Sequence, residues 1–100
     1  MSLLAHDDIL HAINQGEIVF TPTLQPEQIR EVSVDLTLGS VFRKYIDIHQ
    51  PIPLIETTDY HEVTEEVITD SYVLYPQQTV LGITQEKVQL PQNMCGWLEG

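Results

Sequence analysis

The sequence predicts a mainly β fold, an antiparallel barrel or sandwich with one helix at its amino-terminal end. Three observations predict it. Apolar residues recur at helical spacing near the start of the chain, where Ile9, Ala12 and Ile13 fall at i, i+3 and i+4. From Ile18 onward short apolar runs take over, and the clearest of them alternates with period two. Prolines, glycines and polar clusters separate these runs at intervals that suit short strands and turns. One helix followed by many short strands is the pattern of a β domain.

The helix is expected over about His6–Gln15. Asp7 and Asp8 fall in its first turn, where they oppose the helix dipole, and Gly16 supplies the stop. Ala5 is a poor cap. Ile18-Val19-Phe20 reads as a strand ended by Pro22, and residues 23–29 as a polar connection around Pro26. Val32, Val34, Leu36, Leu38 and Phe42 then alternate with Ser33, Asp35, Thr37, Gly39 and Arg43, which predicts one long half-buried strand with Val34, Leu36 and Leu38 inward. Gly39 allows a bend within it. Ile46-Asp47-Ile48 is a short pairing segment before Pro51 and Pro53. Residues 56–70 carry Glu56, Asp59, Glu62, Glu65, Glu66 and Asp70 without a Lys or Arg, a solvated excursion with a β-like centre at Val63–Ile68. Further strands are expected at Tyr72–Tyr75, stopped by Pro76, at Thr79–Thr84, at Lys87–Leu90 and, after a turn at Pro91-Gln92-Asn93, at Met94–Leu98.

The 100 residues make one small domain, and their 42% apolar share is that of a globular protein. No apolar run approaches the length of a membrane-spanning helix. Met1-Ser2-Leu3-Leu4-Ala5 is followed at once by His6, Asp7 and Asp8, which is not a signal-peptide pattern. A single cysteine, Cys95, has no internal partner, and a cytoplasmic setting is expected. Met1-Ser2-Leu3 and Glu99-Gly100 are of a kind that an expression vector contributes. Fifteen acids against four bases, Arg30, Arg43, Lys44 and Lys87, give a formal net charge of −11. Nucleic acid requires a basic surface, so DNA and RNA are not expected partners. The same field favours solubility and opposes a free triphosphate at long range.

Local chemistry motifs are missing. His6, His11, His49 and His61 do not form HExxH, and Cys95 has no CxxC mate, so zinc is not expected. No GxSxG occurs, and Gly16, Gly39, Gly82, Gly96 and Gly100 are too scattered for a phosphate loop. Asp7-Asp8 and Glu65-Glu66 are acid pairs on a helix start and in a loop, read as exposed charge. No catalytic, cofactor-binding or metal-binding residue is assigned from the residues themselves.

Three stretches together resemble the dCTP deaminase family of the dUTPase-like superfamily. The first is Leu3-Leu4, Asp8-Ile9 and Ile13-Asn14-Gln15-Gly16-Glu17-Ile18, similar to that family's opening helix and turn. The second, Val32-Ser33-Val34-Asp35-Leu36-Thr37-Leu38-Gly39-Ser40-Val41-Phe42-Arg43, is similar to the family's S-V-D-L-x-L-G-x-x-F-R strand and is the most specific. The third joins Leu74-Tyr75-Pro76, Val80-Leu81-Gly82-Ile83-Thr84, Val88-Gln89-Leu90-Pro91 and Gly96-Trp97-Leu98-Glu99-Gly100. The resemblance covers nearly the whole chain and corresponds to the amino-terminal half of the family.

It implies an incomplete dUTPase-like antiparallel β barrel or sandwich, a homotrimer, and deamination of dCTP to dUTP and ammonia with magnesium on the triphosphate and no zinc. It also implies that the family's phosphate-binding motif and catalytic glutamate follow the G-x-L-E/D-G stretch, so no cofactor site is carried onto this chain. Asp35 matches the Asp of S-V-D-L, for which a structural and a metal-related role both stand. Gln77 departs from the glycine that often follows this proline. Three readings compete: a truncated dCTP deaminase relative inactive alone, a small interaction or subunit module working with a separate chain, and an enzyme with an unrecognised site. A β fold cut near its middle leaves unpaired strand edges, at Val80–Thr84 or Met94–Leu98, and bares Met94, Trp97 and Leu98. A homo-oligomer, trimer or dimer, is the expected assembly.

Overall fold

The opening helix forms because its apolar stripe and its ends are both satisfied. In the computed structural model, which describes residues 2–46, 51, 53 and 55–100, helix α1 runs His6–Asn14 and buries Ile9 and Ala12. Ala5 offers no capping side chain, and Asp8 compensates by reaching back, its Oδ2 accepting from the Ala5 N–H at 3.0 Å. Gly16 ends the helix at φ 75°, in the left-handed region. The chain then folds back under the helix, with the Glu17 and Ile18 N–H groups both donating to the Ala12 carbonyl, at 2.9 and 3.3 Å. Ile18 is buried with Ile9 and Ala12.

Among the described residues five strands follow: β1 (Val19–Thr21), β2 (Leu38–Tyr45), β3 (Thr64–Ile68), β4 (Val80–Thr84) and β5 (Lys87–Gln89). A 3-10 turn at Pro26–Gln28 lies in the expected polar connection, and a one-turn helix α2 (Tyr60–Val63) precedes β3. The strands make a two-stranded sheet, β1-β5, and a three-stranded sheet in the order β3-β2-β4. The chain is mainly β, with its strands in open sheets. β1 and β5 pair antiparallel, Phe20 opposite Val88. β2 and β3 pair antiparallel, Val41 opposite Ile68 and Arg43 opposite Glu66.

The residues fall into two compact units. One comprises residues 1–37 and 84–100; the other comprises residues 38–83. The first holds α1, the 3-10 turn and the β1-β5 sheet, with Ile9, Ala12 and Ile18 as its buried apolar residues. The second holds the β3-β2-β4 sheet around Phe42, which is 3% exposed. The Phe42 ring lies 5.2 Å from that of Tyr72 and packs over Gly82, where an added Cβ would sit 3.5 Å from it.

Three expected strands differ. The long alternating run is a strand only from Leu38 onward. Before that the chain pairs with its own preceding residues: Ile29 bridges Val34, the Arg30 N–H donates to the Ser33 carbonyl at 2.8 Å, and the Asp35 N–H donates to the Gln28 carbonyl at 2.7 Å. Val34 and Leu36 are half-buried and Ser33, Asp35 and Thr37 exposed, as the alternation requires, but Leu38 is 61% exposed. Tyr72–Tyr75 forms no strand; Tyr75–Gln78 is a turn closed by the Gln78 N–H on the Tyr75 carbonyl. Met94–Leu98 likewise forms no strand. The pairing expected at Ile46–Ile48 extends outside the described residues.

Candidate functional site

The densest polar cluster gathers on Glu86, in the turn between β4 and β5. The residue is 6% exposed. One oxygen, Oε1, accepts from the Thr37 backbone N–H at 2.8 Å. The other, Oε2, accepts from the Thr37 hydroxyl and from the Gln28 amide, both at 2.9 Å. The turn is braced by the Thr84 hydroxyl, which donates to the Glu86 carbonyl at 2.7 Å, and by the Gln85 N–H on the Thr37 carbonyl. These donors hold the Glu86 carboxyl down at about pKa 2: the Thr37 backbone N–H acts most strongly, and burial opposes it.

Gln28 is the second hub. Its side-chain oxygen accepts from the Gln25 N–H at 2.8 Å, closing the 3-10 turn, while its amide nitrogen donates to the Asp35 carbonyl and to Glu86. Both protons and the carbonyl are therefore engaged, which fixes the orientation of the amide. Asp35, the acid of the S-V-D-L stretch, turns its carboxylate to Arg30, with Nε donating to Oδ2 at 2.8 Å. That bond and charge raise the Arg30 pKa. The arrangement ties a loop to a turn.

Three of the four bases make local contacts. Arg43 and Lys44 are adjacent on β2, so their side chains leave opposite faces of the sheet. Arg43 donates from Nε to the Thr64 hydroxyl at 2.8 Å and lies 3.7 Å from Glu66. Lys44 meets Glu65 at 2.8 Å, and this hydrogen bond raises its pKa. Lys87 opens β5, opposite Thr21. Glu65 and Glu66, expected as exposed loop charge, are β3 residues that serve as these partners.

Of the histidines, His6 lies 3.1 Å from Asp7, His61 lies 3.3 Å from Asp59, and His11 is exposed on α1, whereas His49 is outside the described residues. Cys95 is exposed. Among the described residues no three His, Cys, Asp or Glu side chains gather as a metal site. No described helix is long and apolar enough to cross a membrane.

A family model described as dCTP deaminase-like matches residues 3–100. The chain belongs to the dCTP deaminase-like family. Curated relatives agree. The dCTP deaminase of Marinomonas sp. is 35% identical over 97% of this chain and 55% of its own length. That of Haloarcula marismortui is 36% identical over 98% of this chain and 53% of its own length, and that of Tolumonas auensis is 35% identical over 97% and 55%. This dCTP deaminase-like chain thus spans about half the length of the relatives it matches, and the match includes Glu99 and Gly100. The Gln28–Thr37–Glu86 cluster escaped the sequence reading because Gln28 and Thr37 lie 58 and 49 positions from Glu86. Its one visible signal was a single acid set between two apolar strands.

Proposed function

We propose that this chain supplies the framework half of a dCTP deaminase-type enzyme, whose reaction converts dCTP and water to dUTP and ammonia, and that it does not turn over nucleotide by itself. The observation that carries the reading is the disposition of its bases. Binding a triphosphate calls for several cationic donors converging on one cleft. Here Arg30 holds Asp35, Arg43 holds Thr64 and faces Glu66, and Lys44 holds Glu65. Each of these three serves a local acid or hydroxyl, and the fourth base, Lys87, is exposed on β5, in a chain of net charge −11. Magnesium would enter with the nucleotide, and no zinc takes part. The setting is cytoplasmic, and the assembly is a homo-oligomer.

Isothermal calorimetry with dCTP and with dUTP, each with magnesium, tests this reading. No heat of binding at millimolar nucleotide is the expected result; saturable binding to the chain alone would contradict it. A second reading, an interaction or subunit module that completes a separate chain, is favoured by the carboxy-terminal stretch. Trp97 is 89% and Leu98 77% exposed, and adjacent bare apolar side chains favour association. Co-expression with a chain carrying the remainder of the family fold tests the second reading: a stable heteromeric complex of two separate polypeptides is its expected result, and no complex would contradict it.

A further inference from the structure

Glu86 is a buried carboxylate, and among the described residues it has no ion-pair partner. The groups of other residues that meet it are neutral donors: the Thr37 N–H, the Thr37 hydroxyl and the Gln28 amide. The charged groups on the surrounding segments point elsewhere. The Asp35 carboxylate is held by Arg30, Glu27 beside Gln28 is exposed, and Lys87 beside Glu86 is exposed. Such a site suits a carboxylate, which only accepts, and suits neither an amide nor a carboxylic acid.

We infer that Glu86 is an acid-released latch: ionised, it holds the Gln28–Thr37 segment closed onto the turn between β4 and β5, and protonated, it lets that segment go. A proton on Oε2 would face the Gln28 amide, itself a donor, and a proton on Oε1 would face the Thr37 N–H. Either way at least one of three hydrogen bonds is lost. Loss of the Gln28 bond also frees the amide that holds the Asp35 carbonyl, so the release passes along the loop.

The sign follows from the depressed pKa. The ordinary value is 4.5 and the folded value about 2. The latch contributes its full stability above 4.5 and loses it as pH falls through that window toward 2. Over the same window the chain has passed its isoelectric point, about 4.4, and gains net positive charge, so growing self-repulsion overlaps the loss at Glu86. A local probe is therefore needed.

The test is nuclear magnetic resonance of the full chain, titrated from neutral pH to about pH 1, below the folded midpoint near 2. The probes are the Glu86 side-chain carboxyl carbon, the Thr37 amide proton and the Gln28 side-chain amide. The expected result is one shared curve with its midpoint near 2, reversible on return to neutral pH. Glu86→Gln should remove that curve and reduce the exchange protection of the Thr37 amide at neutral pH. Should that variant not fold, Thr37→Val keeps the N–H, removes one donor, and should raise the Glu86 midpoint. A Glu86 midpoint at the ordinary carboxylate value, Thr37 and Gln28 signals that ignore it, or an unchanged midpoint in Thr37→Val would each overturn the latch.

Discussion

Gly16 and Gln77 both hold a positive φ, 75° and 68°, and only one of them is a glycine. At Gly16 an added Cβ would meet nothing within 4 Å, so the constraint there is the backbone alone. Gly16→Ala should destabilise the chain by about 1 kcal/mol, read from denaturant midpoints, because an L-residue resists the left-handed region. Gln77 follows Pro76 in the turn closed by the Gln78 N–H on the Tyr75 carbonyl, the position where a type II turn takes glycine. Gln77→Gly should stabilise by roughly 0.5 kcal/mol, the relief of left-handed strain less glycine's entropy cost, and a fall in the thermal midpoint would contradict this. Gly16 was readable as a helix stop because its cause is local. Glu86 was not, since its role depends on Gln28 and Thr37 being folded beside it. The acid capping of α1 by Asp8 was half legible: its place in the first turn was seen, its reach back to Ala5 was not.

Among the elements, the run from Val32 to Arg43 shows what period-two reading captures and what it misses. The alternation itself holds around Val34 and Leu36. Nothing in it reveals that Ile29–Val34 bridge locally and that the ladder with β3 begins only further on. A strand is defined by its partner, and alternation describes only one side of that pairing. The same reason explains Tyr72–Tyr75, an apolar run with no neighbouring strand. The energetic weight of β2 therefore sits at Phe42, which packs on Tyr72 and Gly82. Phe42→Ala should cost roughly 3–5 kcal/mol, while Leu38→Ala, at a site 61% exposed, should cost less than about 1 kcal/mol. Chemical denaturation of the two variants decides it, and comparable losses would show that Leu38 is covered in solution.

For the whole molecule, net charge and exposed apolar surface pull in opposite directions. β4 is an edge strand of its sheet, and Trp97 and Leu98 lie open beyond β5. Edges and bare apolar residues recruit other chains, whereas a charge of −11 keeps copies apart. Light scattering coupled to size exclusion should show self-association that strengthens as salt rises and screens that charge. A monomer at both low and high salt, with a buried Trp97 fluorescence spectrum, would mean that the carboxy-terminal stretch folds onto its own chain. Family membership was legible at this scale, because motif order and spacing survive along the whole chain. The engagement of the bases was only partly so: their small number was visible, but the pairing of Arg30, Arg43 and Lys44 with local acids was not. That pairing underlies the central claim, that these residues carry the framework and not the nucleotide chemistry of the dCTP deaminase family. The most direct test is ammonia release from dCTP with magnesium by the purified chain. The account predicts none above background; turnover that a single substitution such as Asp35→Asn abolishes would contradict it.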